Sequence, residues 1–421
     1  MTPIEQLLEK IKIPPMATVA QRFPAATVPN HLALLRQELE TQAKKTITPG
    51  MKVAVTAGSR GIFDIANITR TVVDFLKEKG AAPFVVSAMG SHGGANAQGQ
   101  LDVLAGIGIT PESMGVPIVA GVESRLLATL DGDVPVWFDE PALQADAVVA
   151  INRIKPHTGF RGKYESGLAK MLAVGLGNAK GADYIHSRGE GEISGRIETI
   201  ARAVLERVNV AFGVAILENS EDKIGELHVI PGRDIMEREA ELLPKARKML
   251  PEIHFKNLDL LIVDRMGKDI SGGGMDPNVI GGFTAPGVET TPRPQLIVVL
   301  DLTEATHGAV FGLGDGDVTT RRLFEKIDFA TTYPNCLVTC TPRLVKIPMV
   351  MENQELAIKA GLKMLLSVDR ERLRVVRIPD TLHIDTIQVS EALLPEAEAH
   401  PGVTVLEGPS ALPFDSRGNL F

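Results

Sequence analysis

The chain has 421 residues, 44% of them hydrophobic, which exceeds the size that one hydrophobic core usually reaches, so we expect two domains. Its 44 Lys and Arg against 52 Asp and Glu give a net charge of −8, which predicts neither nucleic acid nor a membrane surface as a partner. No apolar run is long enough for a transmembrane helix, and the acidic amphipathic start at 1–15 is unlike a signal peptide, which predicts a cytoplasmic protein.

Short apolar runs alternate with helical patterns through the first half of the chain. Apolar runs at 51–59 and 82–94 flank an amphipathic stretch at 66–80, and a further run at 145–152 has few polar positions. This alternation is typical of β-α-β units with parallel strands that helices cover on both faces. In such a sheet the chemistry lies in the loops at the carboxyl ends of the strands.

A second α/β unit begins near residue 255, with apolar runs at 255–267 and 293–305 and a helical pattern at 352–368. We therefore predict an α/β protein of two domains with mainly parallel, helix-covered sheets and an active-site cleft between them. The predicted boundaries are 1–253 for the first domain and 254–401 for the second. A tail at about 402–421 is predicted to pack back on the first domain.

The turn at 56–70 follows the first of these strands and precedes a helix. Its backbone N–H groups can face an anion, and Arg60 supplies positive charge, so the turn is a candidate seat for phosphate or carboxylate. Small residues between a strand and a helix are also common where nothing binds, and this alternative stays open.

Two further loops carry histidines. His92 follows an apolar strand among glycines, which offer it little packing and so favour a catalytic or ligand role over a core position. The segment 153–187 combines His157, Lys170 and His186 with several cationic side chains and many glycines. A solvated basic loop would not explain this composition, because neutral imidazole binds metals or exchanges protons and a lysine amine can link covalently to a cofactor.

Ordinary zinc patterns are absent from the sequence. His157 and His186 are 29 residues apart, and neither HExxH nor CxxC occurs. The two cysteines, Cys336 and Cys340, are too few for a disulfide framework, and we interpret both as packing residues.

The histidine in KPHTGF, the lysine in SGLAK and the histidine in YIHS together resemble the nickel-dependent lactate racemase family, over nearly the whole chain. The resemblance implies that Lys170 covalently holds the nickel-pincer nucleotide, pyridinium-3,5-bisthiocarboxylic acid mononucleotide, and that His186 binds its nickel. It also implies that His92, in GSHGG, and His157 are the acid/base pair. The first domain would then bind the cofactor and carry out catalysis, and the second would close over the substrate.

Other motifs of this family are only partly retained. Its Asp-His-Thr-Arg turn falls on Ala57, Gly58, Ser59 and Arg60, and we expect the last three to contact the cofactor and Arg60 also the substrate. In the second domain the glycine-rich loop keeps two residues of the pattern but has Ile280, Gly281 and Thr284 where the family has tyrosine, glutamine and lysine. The predicted substrate contacts there are Asp276, Asn278, Lys268 and His307.

These departures indicate a divergent subgroup and a 2-hydroxy acid other than lactate, such as malate, another dicarboxylate or an aldonate. The implied activity is racemisation or epimerisation, in which a hydride leaves the substrate for the cofactor and returns to the opposite face. The implied partners are the small anionic substrate and, transiently, the enzymes that make the cofactor.

Two other readings stay open. A nicotinamide-dependent 2-hydroxy acid dehydrogenase would also use a histidine base, but GxGxxG is absent from the first strand-turn-helix, and GLGNAKG at 175–181 follows a helical pattern. A non-catalytic nickel or nucleotide carrier would need Lys170 and His186 but not His92. Replacing His92 separates a carrier from an isomerase, because a carrier would lose nothing measurable, whereas an isomerase would lose turnover and retain its metal.

Overall fold

The structure is a computed structural model that describes residues 2–59, 61–187, 189–282, 288 and 291–421. The strands of this part of the chain are β1 Met16–Gln21, β2 Lys52–Ala57, β3 Ala82–Ser87, β4 Ile118–Val119, β5 Ser124–Leu130, β6 Val134–Asp139, β7 Ala147–Arg153, β8 Val210–Glu218, β9 Ile224–Pro231, β10 Asn257–Met266, β11 Arg293–Leu302, β12 Val318–Thr320, β13 Met349–Met351, β14 Val375–Ile378, β15 Thr386–Ser390 and β16 Val403–Ser410.

The helices are α1 Pro3–Leu8, α2 His31–Glu38, α3 Ile65–Glu78, α4 Ala97–Gly106, α5 Pro111–Met114, α6 Glu140–Leu143, α7 Leu168–Lys170, α8 Asn178–His186, α9 Ile193–Arg207, α10 Ile235–Met249, α11 Pro277–Ile280, α12 Arg321–Glu325, α13 Phe329–Thr339, α14 Gln354–Met364 and α15 Leu394–Ala399. None of these helices has both the length and the apolar composition that a membrane span requires.

The chain divides into two compact units. Residues 24–250 form one, called here the central unit, and residues 1–23 with 251–421 form the other, called the terminal unit. The change at residue 250 lies close to the predicted boundary at 253.

The central unit contains a six-stranded sheet in the order β4-β3-β2-β7-β8-β9. All neighbouring strands are parallel except β8 and β9, which pair antiparallel. Apolar residues recur along α3 at helical spacing, and Ile68, Val72 and Phe75 are fully buried there. Burying such a side chain contributes roughly 1.5–3 kcal/mol. The parallel order brings the carboxyl ends of β2, β3, β7 and β8 to one edge of the sheet.

The terminal unit contains an eight-stranded sheet in the order β13-β12-β11-β10-β14-β15-β1-β16. Strands β10 to β14 run parallel, whereas β15, β1 and β16 pair antiparallel. Both sheets are flanked by helices. The prediction of an α/β protein with mainly parallel, helix-covered sheets is therefore confirmed.

The two ends of the chain lie in the terminal unit, in contrast to the predicted division. Strand β1 pairs with β15 on one side and with β16 on the other, so residues 1–23 belong with residues 251–421. The predicted tail lies within the terminal unit, where Gly418 O accepts from Glu355 N at 2.9 Å and Leu420 N donates to Gln354 Oε1 at 2.6 Å. Backbone pairing between segments almost 400 residues apart leaves no local signal in the sequence.

Candidate active site

The turn after β2 and the loop after β3 meet at the carboxyl edge of the central sheet. Ser59 follows β2, His92 follows β3, and the Ser59 hydroxyl makes a short hydrogen bond with Nδ1 of His92. The His92 side chain is exposed, and Ser59 is half-buried. A residue predicted to contact cofactor and a residue predicted to transfer protons are thus direct neighbours.

The segment that follows Lys170 packs against both of these loops. Gly90 N donates to Gly175 O at 3.2 Å. A Cβ atom added at Gly58 would lie 3.2 Å from Met171 Cε, and one added at Gly175 would lie 2.7 Å from Ala88 O. Gly175 therefore permits a close approach that a larger residue would prevent, and the approach brings the segment directly after Lys170 against the Ser59 and His92 loops.

His157 and Lys170 both contact the ring of Phe160. The His157 and Phe160 rings stack with centroids 4.2 Å apart, and Lys170 Nζ lies 5.7 Å from the Phe160 ring centroid. Phe160 is buried, whereas His157 and Lys170 are half-buried. The predicted base and the predicted cofactor lysine are thus brought to one aromatic ring, which stabilises a nearby cation through its face.

A buried carboxylate holds the His157 loop in place. Glu165 is fully buried and accepts hydrogen bonds from His157 N at 2.7 Å, Gly162 N at 3.1 Å and Arg247 Nη2 at 2.8 Å. The loop is closed at its base by paired backbone hydrogen bonds between residues 155 and 166. Glu165 was not predicted from the sequence, although an acidic residue in so basic a segment is a usable signal.

His186 is the last residue of α8 and is half-buried. Burial, together with the nearby positive charge of Lys170, lowers its pKa to about 4. The imidazole is therefore neutral at pH 7, which is the form that binds metal ions. Among the residues that the structure describes, no three His, Cys, Asp or Glu side chains are placed to hold a metal together, so His186 would need ligands from a cofactor.

The start of α8 is anchored to the end of β6. Asn178, the first residue of α8, donates through Nδ2 to Asp139 Oδ2 at 3.0 Å, and Ala142 N donates to Asp139 Oδ1 at 2.9 Å. Burial raises the pKa of Asp139 to about 6. Neither Asp139 nor Asn178 was predicted, because their contact joins residues 39 positions apart.

The start of α7, which carries Lys170, rests on Glu239 of α10. Glu239 Oε2 accepts from Ala169 N at 2.9 Å, and a Cβ at Gly167 would lie 2.4 Å from Glu239 Oε1. Burial raises the pKa of Glu239 to about 7, while hydrogen bonds from Ala169 N and Leu168 N oppose the rise. Glu239 was not predicted either, since nothing in EREAELL distinguishes it from its acidic neighbours.

The predicted substrate residues of the terminal unit lie in loops at the carboxyl edge of its sheet. Lys268 follows β10 and His307 follows β11, and Lys268 N donates to Thr306 Oγ1 at 3.2 Å. Both side chains are exposed. Thr306, which joins the two loops, was not predicted.

Asp276 and Asn278 form the start of α11 in the same unit. Asp276 Oδ1 accepts from Asn278 N at 2.9 Å and from Asn278 Nδ2 at 2.7 Å, and Thr381 Oγ1 accepts from Asp276 N at 3.0 Å. Gly267 N donates to Gly274 O at 2.9 Å, which draws this turn toward the Lys268 loop. The carboxylate of Asp276 thus serves as a helix cap.

Arg60 and Thr284 lie outside the described residues. Of the cysteines, Cys336 is buried, as the packing interpretation expects, but Cys340 is exposed. Cys340 follows α13 in the left-handed region, with φ of 55°, which turns the chain out of the helix at the surface.

Comparison with known proteins gives a family-model match to part of the chain and a solved structure of similar fold. The family model described as a domain of unknown function (DUF362) matches residues 58–240, which include Gly58, His92, His157, Lys170 and His186. A search of curated proteins finds no match. The solved structure of the lactate racemase apoprotein from Thermoanaerobacterium thermosaccharolyticum aligns over 86% of this chain and 94% of that chain, with a TM-score of 0.51 and 14% identity. The chain therefore has a fold similar to that of this lactate racemase.

Proposed function

We propose that this chain is an isomerase that racemises or epimerises a 2-hydroxy acid with a nickel-pincer nucleotide attached to Lys170. The observation that carries the proposal is the cluster around Lys170. His157 shares the Phe160 ring with it, neutral His186 lies within its electrostatic reach, and the loops of Ser59 and His92 pack against the segment that follows it.

The residues of the central unit fit such a cofactor. Lys170 is half-buried rather than fully solvated, and a neutral imidazole at His186 can complete a nickel(II) coordination sphere that lacks other protein ligands. The turn at Gly58, Ser59 and Arg60 would meet the nucleotide phosphate through its backbone N–H groups. When bound, the cofactor would supply the hydride acceptor and donor that no side chain provides.

The protons of the reaction would be handled by His92 and His157, which lie on different loops. His92 would accept or return the hydroxyl proton of one enantiomer, and His157 would do the same for the other, so that each configuration has its own base.

The substrate would be held by cationic and polar groups of the loops. Arg60 is the candidate to bind its carboxylate in the central unit. Lys268 and His307 are the candidates in the terminal unit, where Asp276 and Asn278 would shape the turn near the Lys268 loop. Since the second-domain loop lacks the aromatic and polar residues of lactate racemases, we propose a bulkier 2-hydroxy acid, such as a dicarboxylate or an aldonate.

The decisive experiment compares wild type with Lys170→Ala after co-expression with nickel and the cofactor-making enzymes. We expect intact mass to increase by one modified mononucleotide, with about one nickel per chain, and both to be lost in the variant. Lys163→Ala is the matched control, because Lys163 is an exposed lysine of the same segment. If wild type carried neither group while a known racemase was loaded in the same cells, the proposal would fail.

Loaded protein is then assayed by chiral chromatography on lactate, malate, 2-hydroxyglutarate and gluconate. Interconversion of malate, 2-hydroxyglutarate or gluconate supports the proposed substrate class. Conversion of lactate alone would contradict it and leave the isomerase proposal standing.

A further inference from the structure

A cavity in the terminal unit lies apart from the predicted substrate residues of that unit. It has a volume of about 680 Å³ and is lined by His254, Lys256, Asn257, Arg374, Glu396 and His400. Lys256 and Asn257 are at the amino end of β10, and Arg374 immediately precedes β14. The Lys268 loop follows the other end of β10, a strand of ten residues, so the two regions are separated by about 30 Å at ~3.3 Å per residue.

The charges of this cavity favour an anion. Its one carboxylate, Glu396, is already paired with Arg374 Nη2 at 2.7 Å. Within the described part of the chain, Lys256 makes no ion pair, so its charge is available to a ligand. The charge of Glu396 is thus compensated, whereas that of Lys256 is not. The lining side chains therefore carry a net positive charge, in a protein of net charge −8.

One of the two histidines of the cavity can donate a hydrogen bond to a ligand. His400 Nδ1 accepts from Gly402 N at 3.1 Å, so neutral His400 carries its proton on Nε2 and can donate from that atom. His254 Nε2 lies 3.1 Å from Arg22 O, which places a proton there as well. The two rings stack with centroids 4.3 Å apart.

Other ligand classes fit less well. No three potential metal ligands converge among the described residues, which argues against a cation site here. The volume lies in the range of small-molecule sites and exceeds what a lone inorganic ion requires. An oxyanion carried by a larger molecule satisfies both the size and the surplus of donors.

We propose that this cavity is a second ligand site that binds the phosphate or carboxylate group of a small organic anion, with Lys256 and His400 as donors. This inference is independent of the proposed function, because no residue is shared between the two sites.

The test is histidine-ring NMR of the full chain labelled with ¹³C-histidine, titrated at constant ionic strength with inorganic phosphate, citrate and ribose 5-phosphate. We expect saturable shifts of the His254 and His400 signals with at least one of these anions. Inorganic phosphate and ribose 5-phosphate test binding of a phosphate group, and citrate tests binding of a carboxylate group. The signals are assigned with His254→Gln and His400→Gln.

Lys256→Ala should weaken this binding about tenfold, the loss expected for one charge-assisted contact. Lys363→Ala, which removes an exposed lysine of the same unit outside the cavity, should leave binding unchanged. Thermal unfolding checks that both variants are folded. The proposal is overturned if none of the three anions gives saturable shifts, or if Lys256→Ala binds as tightly as wild type.

Discussion

His157 owes its position to two buried side chains, Phe160 beneath its ring and Glu165 on its backbone N–H. If it transfers protons in the proposed reaction, His157→Gln should lower racemisation by 10²–10⁴-fold, the usual contribution of a general base. Chiral chromatography of nickel-loaded protein measures the loss.

The matched control is His228→Gln, since His228 is also half-buried but pairs with Glu226 on β9. Metal content of both variants is measured in parallel, so that loss of turnover is separated from loss of nickel. Retention of activity within threefold by His157→Gln would remove this residue from the mechanism.

The buried carboxyl group of Glu239 should make the stability of the protein depend on pH. Its pKa is raised from 4.5 to about 7 by burial, so the folded protein binds more protons than the unfolded chain between these values. The stability that comes from protonated Glu239 is complete below pH 4.5 and is lost as pH rises through 7, by about 3 kcal/mol at most. Glu239→Gln should remove this decline while keeping an acceptor for Ala169 N.

Urea unfolding of wild type and Glu239→Gln at pH 5 and pH 8 measures the effect. From pH 5 to pH 8, the free energy of unfolding should decline less for Glu239→Gln than for wild type. Glu241→Gln, an exposed residue on the same helix, is the control for general charge effects. An equal pH dependence in wild type and Glu239→Gln would show that this carboxyl titrates normally.

Helix α8 is held at its first residue by a buried carboxylate and carries the proposed nickel ligand as its last residue. Asp139 binds its first residue, and His186 is its last. Asp139→Ala would leave Ala142 N without its acceptor and Asn178 Nδ2 with only Glu123 O at 3.3 Å, at a cost of about 1–3 kcal/mol. We expect a lower melting temperature and, because α8 carries His186, weaker nickel retention.

Metal analysis after dialysis against a chelator, together with calorimetry, tests this prediction. Asp131→Ala is the control, because Asp131 is exposed at the turn between β5 and β6. Unchanged nickel retention in a destabilised Asp139→Ala protein would mean that the position of His186 does not depend on this anchor.

The elements also explain how much could be predicted from sequence. Apolar runs ending in glycine-rich turns identified β2, β3 and β7, and parallel order then brings the loops of Ser59, His92 and His157 to one edge. The supporting residues could not be found in this way. Glu239 and Asp139 contact partners 70 and 39 positions away, and their burial is a product of the tertiary fold.

At the scale of the whole molecule, the terminal unit is built from both ends of the chain. Strand β1 lies between β15 and β16, and its Ala17 and Val19 are fully buried. A fragment of residues 251–421 therefore lacks a central strand, exposes two unpaired strand edges and should aggregate or unfold. Residues 24–250 contain a complete sheet with its own core and should fold alone.

Joining residues 1–23 to the start of 251–421 through a flexible linker should restore cooperative thermal unfolding, followed by circular dichroism. Val19→Asp in this fusion should abolish the effect, because the strand would bury an unpaired charge, whereas Lys12→Asp, at an exposed position before β1, should be tolerated. If residues 251–421 unfolded cooperatively at the same temperature with and without residues 1–23, β1 would be dispensable. Residues 251–421 would then fold by themselves, even though the complete sheet also contains a strand from the other end of the chain.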